Sequence, residues 1–165
     1  TGEVGCISTD FDDALLKAML SVGYRIPQQS VLVSSGPIRS KLALLAPLHE
    51  LNLRGFTIYA TKGTAKFLNE NGIPAISVAW PDEVNDEPNC ITLIKERKVD
   101  MVINIPKNLS QKELDNDYTI RRTAIDYNIP LVTNARLGAA FLTATGRKSV
   151  ESLEIRDWAS YLTGF

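Results

Sequence analysis

The residues best suited to chemistry form the turn Thr61-Lys62-Gly63-Thr64, between a predicted strand and a predicted helix. Glycine allows backbone N–H groups to approach a ligand closely, and the first turn of a helix adds N–H donors and a partial positive charge. The two threonines add hydroxyl groups, and Lys62 and Lys41 add positive charge. This combination suits a phosphate or a carboxylate. The alternative interpretation is structural, with Thr64 capping the helix and Thr61 ending the strand.

Other predicted strands also end in polar or aromatic residues. In open α/β sheets ligands bind beyond the carboxyl ends of the strands, so these side chains are expected to converge on one rim. They are Ser34 and Ser35, Trp80, Asn104 followed by Lys107 and Asn108, and Thr133 with Asn134. Trp80 is either an aromatic wall for a base or an acyl group or a core residue, and Asn104 either orients a ligand or satisfies loop backbone. The turn at Thr61 matches neither a Walker loop nor a GxGxxG fingerprint, so an ATP or dinucleotide site is not supported.

The composition excludes several functional classes. The chain has 165 residues, the size of one domain with modest extensions, and 44% of them are hydrophobic. Basic and acidic residues number 18 and 19, so neither nucleic acid nor an acidic membrane is an expected partner, and any anion recognition must be local. Two cysteines and one histidine exclude a disulfide framework, a cysteine zinc site and most histidine metal sites. The sequence therefore predicts no metal and no cofactor in this domain.

The sequence also bears on location. No run of about 18 apolar residues occurs, so no membrane-spanning segment is predicted. The opening residues Thr1-Gly2-Glu3 show neither the basic nor the apolar region of a signal peptide, and we expect a cytoplasmic protein. Because the chain does not begin with methionine, we expect it to be part of a larger protein.

Apolar periodicity predicts a helix over residues 10–22, with Thr9 as its N-cap, followed by alternating strands and helices. The predicted strands are Val31–Ser34, Thr57–Ala60, Ala75–Val78, Met101–Asn104 and Pro130–Thr133. The later predicted helices cover residues 38–53, where Pro47 kinks or splits the helix, 64–71, 91–98, 117–128 and 135–146, with a long polar loop over 106–116. This alternation indicates an α/β fold, a Rossmann-like three-layer sandwich with a five-stranded parallel sheet.

Four segments taken together are similar to one known family. They are Thr61–Ala65, Val78–Trp80, Val102–Asn104 and Tyr118–Ala124. On these segments the chain resembles the methylglyoxal synthase-like domain of the carbamoyl phosphate synthetase large subunit. The opening Thr1–Val4 and the helix segment Ala14–Ala18 resemble the end of the preceding synthetase domain. The expected organisation is a helical linker over 1–26, the methylglyoxal synthase-like domain over 27–146, and a helical C-terminal tail over 147–165.

The resemblance implies an allosteric, non-catalytic domain in a parent chain that is an ATP-dependent ligase using Mg or Mn. The implied effectors are uridine monophosphate, inosine monophosphate or phosphoribosyl pyrophosphate in nucleotide-controlled enzymes, and N-acetylglutamate in the urea-cycle form. The implied effector-binding residues are Thr61, Thr64, Trp80 and Asn104, with Lys41 as a phosphate-side lysine. Lys107 and Asp117 stand where the N-acetylglutamate pattern has asparagines, and Lys62-Gly63 resembles the nucleotide-regulated members. A nucleotide is therefore the favoured effector.

Two rival functions are weighed against this one. Methylglyoxal synthase shares the fold and eliminates phosphate from dihydroxyacetone phosphate, but here Lys107 occupies its aspartate position and no histidine precedes His49. The segment of its other aspartate is replaced by Asp82–Glu87, which has no glycine. A plain dimerisation or interaction module explains the fold but leaves the polar rim unused. The partners expected are a small anionic effector, the preceding synthetase domains, a glutaminase subunit and a second copy in a homo-oligomer.

Overall fold

Five strands form one sheet in the computed structural model, which describes residues 3–83, 88–107 and 111–162. The strands are β1 (Ser30–Ser35), β2 (Thr57–Thr61), β3 (Ile76–Val78), β4 (Val102–Ile105) and β5 (Leu131–Val132). Their order across the sheet is β3-β2-β1-β4-β5, and every pair of neighbours is parallel. This confirms the predicted five-stranded parallel sheet, and each predicted strand end lies within one residue of the observed one.

Helices cover both faces of this sheet. They are α1 (Phe11–Ser21), α2 (Ile38–Leu53), α3 (Lys62–Glu70), α4 (Cys90–Lys95), α5 (Gln111–Asp126), α6 (Ala135–Arg147) and α7 (Trp158–Leu162), with a 3₁₀ turn at Val150–Ser152. Helices α1, α2, α3 and α6 pack on one face, and α4 and α5 pack on the other. The predicted three-layer sandwich is therefore confirmed.

Each face of the sheet has its own apolar core. In β1, Val33 packs with Phe141 of α6 on one face, whereas Leu32 packs with Ile120 of α5 on the other. All six residues of β1 are buried. Because both faces are covered, the central strands are apolar at successive positions rather than at every second one.

The structure corrects the predicted loop over residues 106–116. Helix α5 begins at Gln111 and so includes residues 111–116 of this segment, whereas residues 106–107 are not helical and 108–110 lie outside the described residues. Its first two turns lack an apolar stripe because the buried positions there are Asn116 and Asp117, and the buried apolar residues begin only at Ile120. Helical periodicity in apolar residues therefore could not reveal this half of the helix.

Pro47 does not split α2. The helix runs from Ile38 to Leu53 with Pro47 inside it, and Pro47 is buried together with Leu44, Leu48 and Leu51. An interior proline costs a helix roughly 3 kcal/mol. Burial of the neighbouring leucines offsets this cost, since each buried leucine contributes about 1.5–3 kcal/mol.

The N-terminal segment packs against the rest of the fold. The N-cap of α1 is Asp10, which accepts the N–H of Asp13 at 2.9 Å, so the prediction of Thr9 was one residue early. Leu16 is fully buried in the core, and Asp10 forms an ion pair with Lys148 at 2.5 Å. The predicted linker over 1–26 thus contacts the rest of the fold directly, and the two boundaries between the three predicted regions remain predictions.

The C-terminal tail is helical only in part, at Val150–Ser152 and Trp158–Leu162. It lies beside the N-terminal segment, where the Tyr161 hydroxyl donates to the Ile7 carbonyl at 3.1 Å. Within the described ranges, no helix has the length and apolar character needed to cross a membrane.

Gly36 lets two loops meet at the carboxyl ends of β1 and β4. A Cβ atom at Gly36 would lie 2.1 Å from the Cβ and 2.3 Å from the Cα of Lys107. The Gly36 N–H also donates to the Ile105 carbonyl at 2.9 Å. Only a residue without a side chain fits this approach, so the contact fixes the position of the Lys107 loop relative to β1.

We expect Gly36→Ala to lower the free energy of unfolding by roughly 1–3 kcal/mol or more, because the backbone at Lys107 must move. The matched control is Gly63→Ala, where the added Cβ meets only the Lys41 Nζ at 3.9 Å and the helix gains up to about 1 kcal/mol. Urea denaturation of both variants measures the difference. Equal stability of the two variants would contradict the close approach.

Candidate functional site

A cavity of about 420 Å³ opens at the carboxyl ends of β1, β2 and β4. The chain leaves β1 toward β2 on one side and leaves β4 toward β5 on the other, so the strand order reverses between β1 and β4. Ligands bind at such switch points in open α/β sheets, and the volume lies within the roughly 300–1,000 Å³ usual for small-molecule sites. The walls come from the ends of these strands, the first turns of α2, α3 and α5, and the segment 80–83.

The predicted threonine turn lies in this cavity, but its hydroxyls are already hydrogen-bonded. Thr64 Oγ1 donates to the Ser35 carbonyl at 3.0 Å and accepts the Ser35 N–H at 3.1 Å. Thr61 Oγ1 donates to Ser34 Oγ at 3.3 Å. Because α3 starts at Lys62, Thr64 lies inside its first turn and is not the cap. Thr61 holds the N-cap position without a side-chain cap bond, so the first turn of α3 keeps uncapped N–H groups beside the cavity.

Two lysines supply positive charge at one end of the cavity. The Lys41 Nζ donates to the Gly63 carbonyl at 2.9 Å, and Lys107 lines the same cavity. Burial, and then the charge of Lys107, lower the pKa of Lys41. Neither lysine has an ion-pair partner among residues 3–83, 88–107 and 111–162. An anion bound here would therefore gain from two uncompensated charges.

Acidic side chains line the other end. Asp82 forms an ion pair with Lys112 at 2.9 Å and accepts the Asn116 amide at 2.8 Å, and these contacts lower the pKa of Asp82. Glu83 and Glu113 line the cavity as well. In the described part of the chain, no group of three or more His, Cys, Asp or Glu side chains is placed to hold a metal ion. All three acids accept hydrogen bonds from protein donors, namely the Asn116 amide, the Trp80 N–H and the Lys107 N–H.

The position of Trp80 is compatible with both of its predicted roles, and its contact with a ligand stays a prediction. The half-buried side chain packs against the core between the sheet and α4 and α5, and the residue also lines the cavity. Its backbone N–H donates to Glu83 Oε2 at 3.0 Å, which holds the acidic segment in place. The indole is thus a fixed apolar surface beside polar groups, as a wall for a planar ligand requires.

Asn104 and Asp117 form a buried polar pair near the end of β4, and neither lines the cavity. Both are fully buried, and the Asn104 amide donates to Asp117 Oδ1 at 2.7 Å. The other oxygens, Asn104 Oδ1 and Asp117 Oδ2, have no hydrogen-bond partner. Burial raises the pKa of Asp117, although the Asn104 bond and the charge of Arg121 act in the opposite direction.

Ser35 carries the unsatisfied polar atom that lines the cavity. Its side chain is buried, with 3% of the residue exposed, and its Oγ has no hydrogen-bond partner. Buried polar atoms are paired in almost all native structures, so an exception needs a cause. A ligand atom at the Lys41 end would supply the missing partner.

Some predicted site residues lie elsewhere. Lys62 is exposed outside the cavity, and so are Thr133 and Asn134 at the end of β5. Asn134 caps α6 by accepting the N–H groups of Arg136 and Leu137 at 3.0 Å each. Strand β5 is separated from β1 by β4, which keeps its end away from the switch point. The predicted residue Asn108 lies outside the described residues.

The sequence analysis did not predict the wall of the cavity that α5 forms, which we call the α5 wall. Lys112, Glu113 and Asn116 line the cavity, yet they belong to the segment that was predicted to be a loop. Asp82 and Glu83 were interpreted as a solvated acidic loop. One local signal existed, since an acid in the first turn of a helix is favoured and Glu113 holds that position.

We expect Asp117→Asn to stabilise the fold at neutral pH by roughly 1–3 kcal/mol, because the new amide is a donor beside the unpartnered Asn104 Oδ1. Since the folded state raises the pKa of Asp117, the wild-type carboxyl destabilises the fold only when ionised. The gap between variant and wild type should therefore shrink as the pH falls from neutral toward about 4, the pKa of the carboxyl in the unfolded chain, and should be smallest below that pH. Urea denaturation from pH 3 to 8 measures it.

The control for this test is Asp126→Asn, which removes an exposed ion pair with Arg122 and should change stability by less than about 1 kcal/mol. If the difference in stability between Asp117→Asn and wild type instead widens toward low pH, the carboxylate form is the stabilising one.

Comparisons with known proteins show which family the chain is similar to. A family model described as "MGS-like domain" matches residues 43–133. The chain is 37% identical over 169 residues to human "Carbamoyl-phosphate synthase [ammonia], mitochondrial", covering 99% of this chain and 11% of that protein. It is 32% identical over 163 residues to "Multifunctional protein pyr1-3" of Dictyostelium discoideum, covering 96% of this chain and 7% of that protein.

Among solved structures, methylglyoxal synthase from Elizabethkingia anophelis matches with a TM-score of 0.50 and 18% identity, covering 83% of this chain and 92% of that one. This likeness concerns the fold alone. The chain spans about a tenth or less of the length of the curated relatives named above. Because the family model covers more than half of the 165 residues, the chain belongs to the MGS-like domain family.

Proposed function

We propose that the chain is the effector-binding regulatory domain of a carbamoyl phosphate synthetase large subunit, and that its cavity binds a nucleotide such as uridine or inosine monophosphate. The parent protein would be an ATP-dependent ligase, and this domain would perform no catalysis. The similarity over 99% of the chain to a part of a protein named carbamoyl-phosphate synthase supports this assignment. In the longer protein, its partners would be the preceding synthetase domains.

The division of charge within the cavity carries the proposal for the ligand. Lys41, Lys107 and the unpartnered Ser35 Oγ lie at the end that suits a phosphate. Glu83 and Glu113 lie at the other end and suit donors such as sugar hydroxyls. Trp80 offers an aromatic surface between them for a planar group. A nucleoside monophosphate carries these three chemical groups in one molecule.

N-acetylglutamate, the alternative effector, fits this cavity less well. It carries two carboxylates, so binding one at the lysine end places the other toward Glu83 and Glu113. Like charges at close range oppose binding in a partly desolvated site. A phosphate monoester concentrates its negative charge at one end, which avoids this repulsion.

An effector regulates only if it binds two states of the parent protein with different affinity. Lys41 lies on α2, whose other side packs on the sheet and on α6. Glu113 lies on α5, which packs on the opposite face of the sheet. A ligand that contacts both would favour one relative position of these helices, which gives effector binding a route to a second conformation.

We expect Lys41→Ala to weaken uridine monophosphate binding at least tenfold, because charged hydrogen bonds contribute about 1.5–3 kcal/mol and 1.4 kcal/mol is a factor of ten. Isothermal titration calorimetry with uridine monophosphate, inosine monophosphate and N-acetylglutamate measures the affinities. The wild-type chain should prefer the nucleotides.

Lys62→Ala is the matched control. Lys62 is a lysine at the start of α3, next to Gly63 in the sequence, but it does not line the cavity. Its effect on affinity should be less than threefold. Equal losses in both variants would indicate a diffuse charge effect, and tighter binding of N-acetylglutamate would replace the nucleotide in this proposal.

We also expect no methylglyoxal from dihydroxyacetone phosphate. Among the carboxylates that line the cavity, Asp82 is held by Lys112 and Asn116, and both contacts favour its ionised, acceptor-only form. A colorimetric assay for methylglyoxal tests this expectation. Turnover that Asp82→Asn abolishes would make the domain an enzyme and overturn its non-catalytic assignment.

A further inference from the structure

We propose that Glu113 is a specificity-determining residue that accepts a hydrogen bond from a sugar hydroxyl of a bound phosphate ester. The cavity would thereby distinguish phosphate esters with free hydroxyls from those without them. This inference rests on the proposed function, because it requires an anion at the lysine end of the same cavity.

One carboxylate oxygen of Glu113 is hydrogen-bonded, and the other has no partner in the described part of the chain. Glu113 lies in the first turn of α5, is half-buried and lines the cavity. Its Oε1 accepts the backbone N–H of Lys107 at 2.7 Å. Its Oε2 has no hydrogen-bond partner within residues 3–83, 88–107 and 111–162, and no lysine or arginine there forms an ion pair with it. The carboxylate is thus oriented by one oxygen and open at the other.

The two other acids of the cavity are less suited to this role. Asp82 is occupied by the ion pair with Lys112 and by the Asn116 amide. Glu83 is exposed, and its Oε2 accepts the Trp80 N–H. A hydrated carboxylate gains little by exchanging water for a ligand hydroxyl, so the half-buried Glu113 contributes more to discrimination.

The position of Glu113 relative to the anion end follows from Lys107. The backbone of Lys107 is bonded to Glu113, while its charge acts on Lys41. One residue therefore joins the phosphate end to the acidic end. A phosphate placed between Lys41 and Lys107 brings the adjoining carbons of the ligand toward Glu113, where a carboxylate accepts hydroxyl donors and repels a second anion.

The unpartnered Ser35 Oγ is the independent indication that a ligand occupies this cavity. Ser35 is tied to Thr64 through its backbone only, which leaves its hydroxyl available. A ligand oxygen that accepts from Ser35 lies at the end of β1, across the cavity from α5. The ligand must therefore extend from the phosphate end toward the α5 wall.

The test compares two probes that differ only in sugar hydroxyls, uridine monophosphate and 2′,3′-dideoxyuridine monophosphate. Calorimetric titration gives the ratio of their dissociation constants for wild type, Glu113→Gln and the control Glu70→Gln, which changes an exposed acid of α3 outside the cavity. We expect wild type to prefer the hydroxylated probe at least tenfold. Glu113→Gln should reduce this preference to threefold or less, because glutamine can still accept the Lys107 N–H but places an amide donor toward the ligand. Glu70→Gln should keep the preference.

Each other outcome overturns the inference in a defined way. If wild type binds both probes equally, Glu113 does not read hydroxyls, whereas the proposed nucleotide site stands. If Glu113→Gln tightens both probes by the same factor, the residue acts by charge repulsion alone. If wild type binds neither probe nor inosine monophosphate, the proposed function fails, and this inference fails with it. If Glu113→Gln does not fold, Glu113→Asp, which keeps the carboxylate on a shorter side chain, should likewise reduce the preference, and an unchanged preference in that variant would overturn the inference.

Discussion

The two hydrogen bonds between Thr64 and Ser35 are the constraint on which the site depends. They use one buried hydroxyl to satisfy both the N–H and the carbonyl at the end of β1, where the strand ladder stops. The same bonds fix the first turn of α3 against β1. Because Thr64 is committed to the backbone, the first turn of α3 keeps uncapped N–H groups and the Ser35 hydroxyl is left unpaired at the cavity. The threonine therefore builds the site without offering a free group to a ligand.

The strand order explains why opposite charges share one cavity. Helices α2 and α3 pack on one face of the sheet and bring Lys41 and Gly63 to the rim. Helix α5 packs on the other face and brings Lys112, Glu113 and Asn116 to the same rim. The two sets meet only where the strand order reverses, between β1 and β4. The cavity thus receives charged residues from two different layers of the fold.

The sequence was most informative where apolar side chains dictate the structure. The strands were predictable because they are short runs rich in apolar residues, most clearly β1 with all six residues buried, and parallel pairing brings their carboxyl ends to one rim. Lys41, Thr61, Gly63, Thr64, Trp80 and Lys107 were consequently placed in one site. The α5 wall was not predictable in this way, because the buried positions in its first two turns are the polar Asn116 and Asp117.

The spacing of residues along the chain also could not separate residues that line the cavity from residues that only support the fold. Thr133 and Asn134 lie at the end of a strand, as Asn104 does. However, β5 lies at the edge of the sheet, and Asn134 there caps α6. Lys62 is adjacent to Gly63 in sequence, yet successive helical positions point about 100° apart, so one lines the cavity and the other faces solvent. Such differences arise from tertiary packing and have no signature in a single sequence.

Asn104 and Asp117 show how the fold supports a site that they do not line. Their side chains join the end of β4 to α5 through a buried bond of 2.7 Å, directly opposite Ser34 in the sheet register. Each leaves an acceptor without a partner, and burial disfavours the charge on Asp117. A purely structural pair would match donors with acceptors, as buried polar groups normally do. The mismatch therefore lies where α5 meets the sheet, next to the wall that carries Glu113, and it is a cost that the fold keeps at this position.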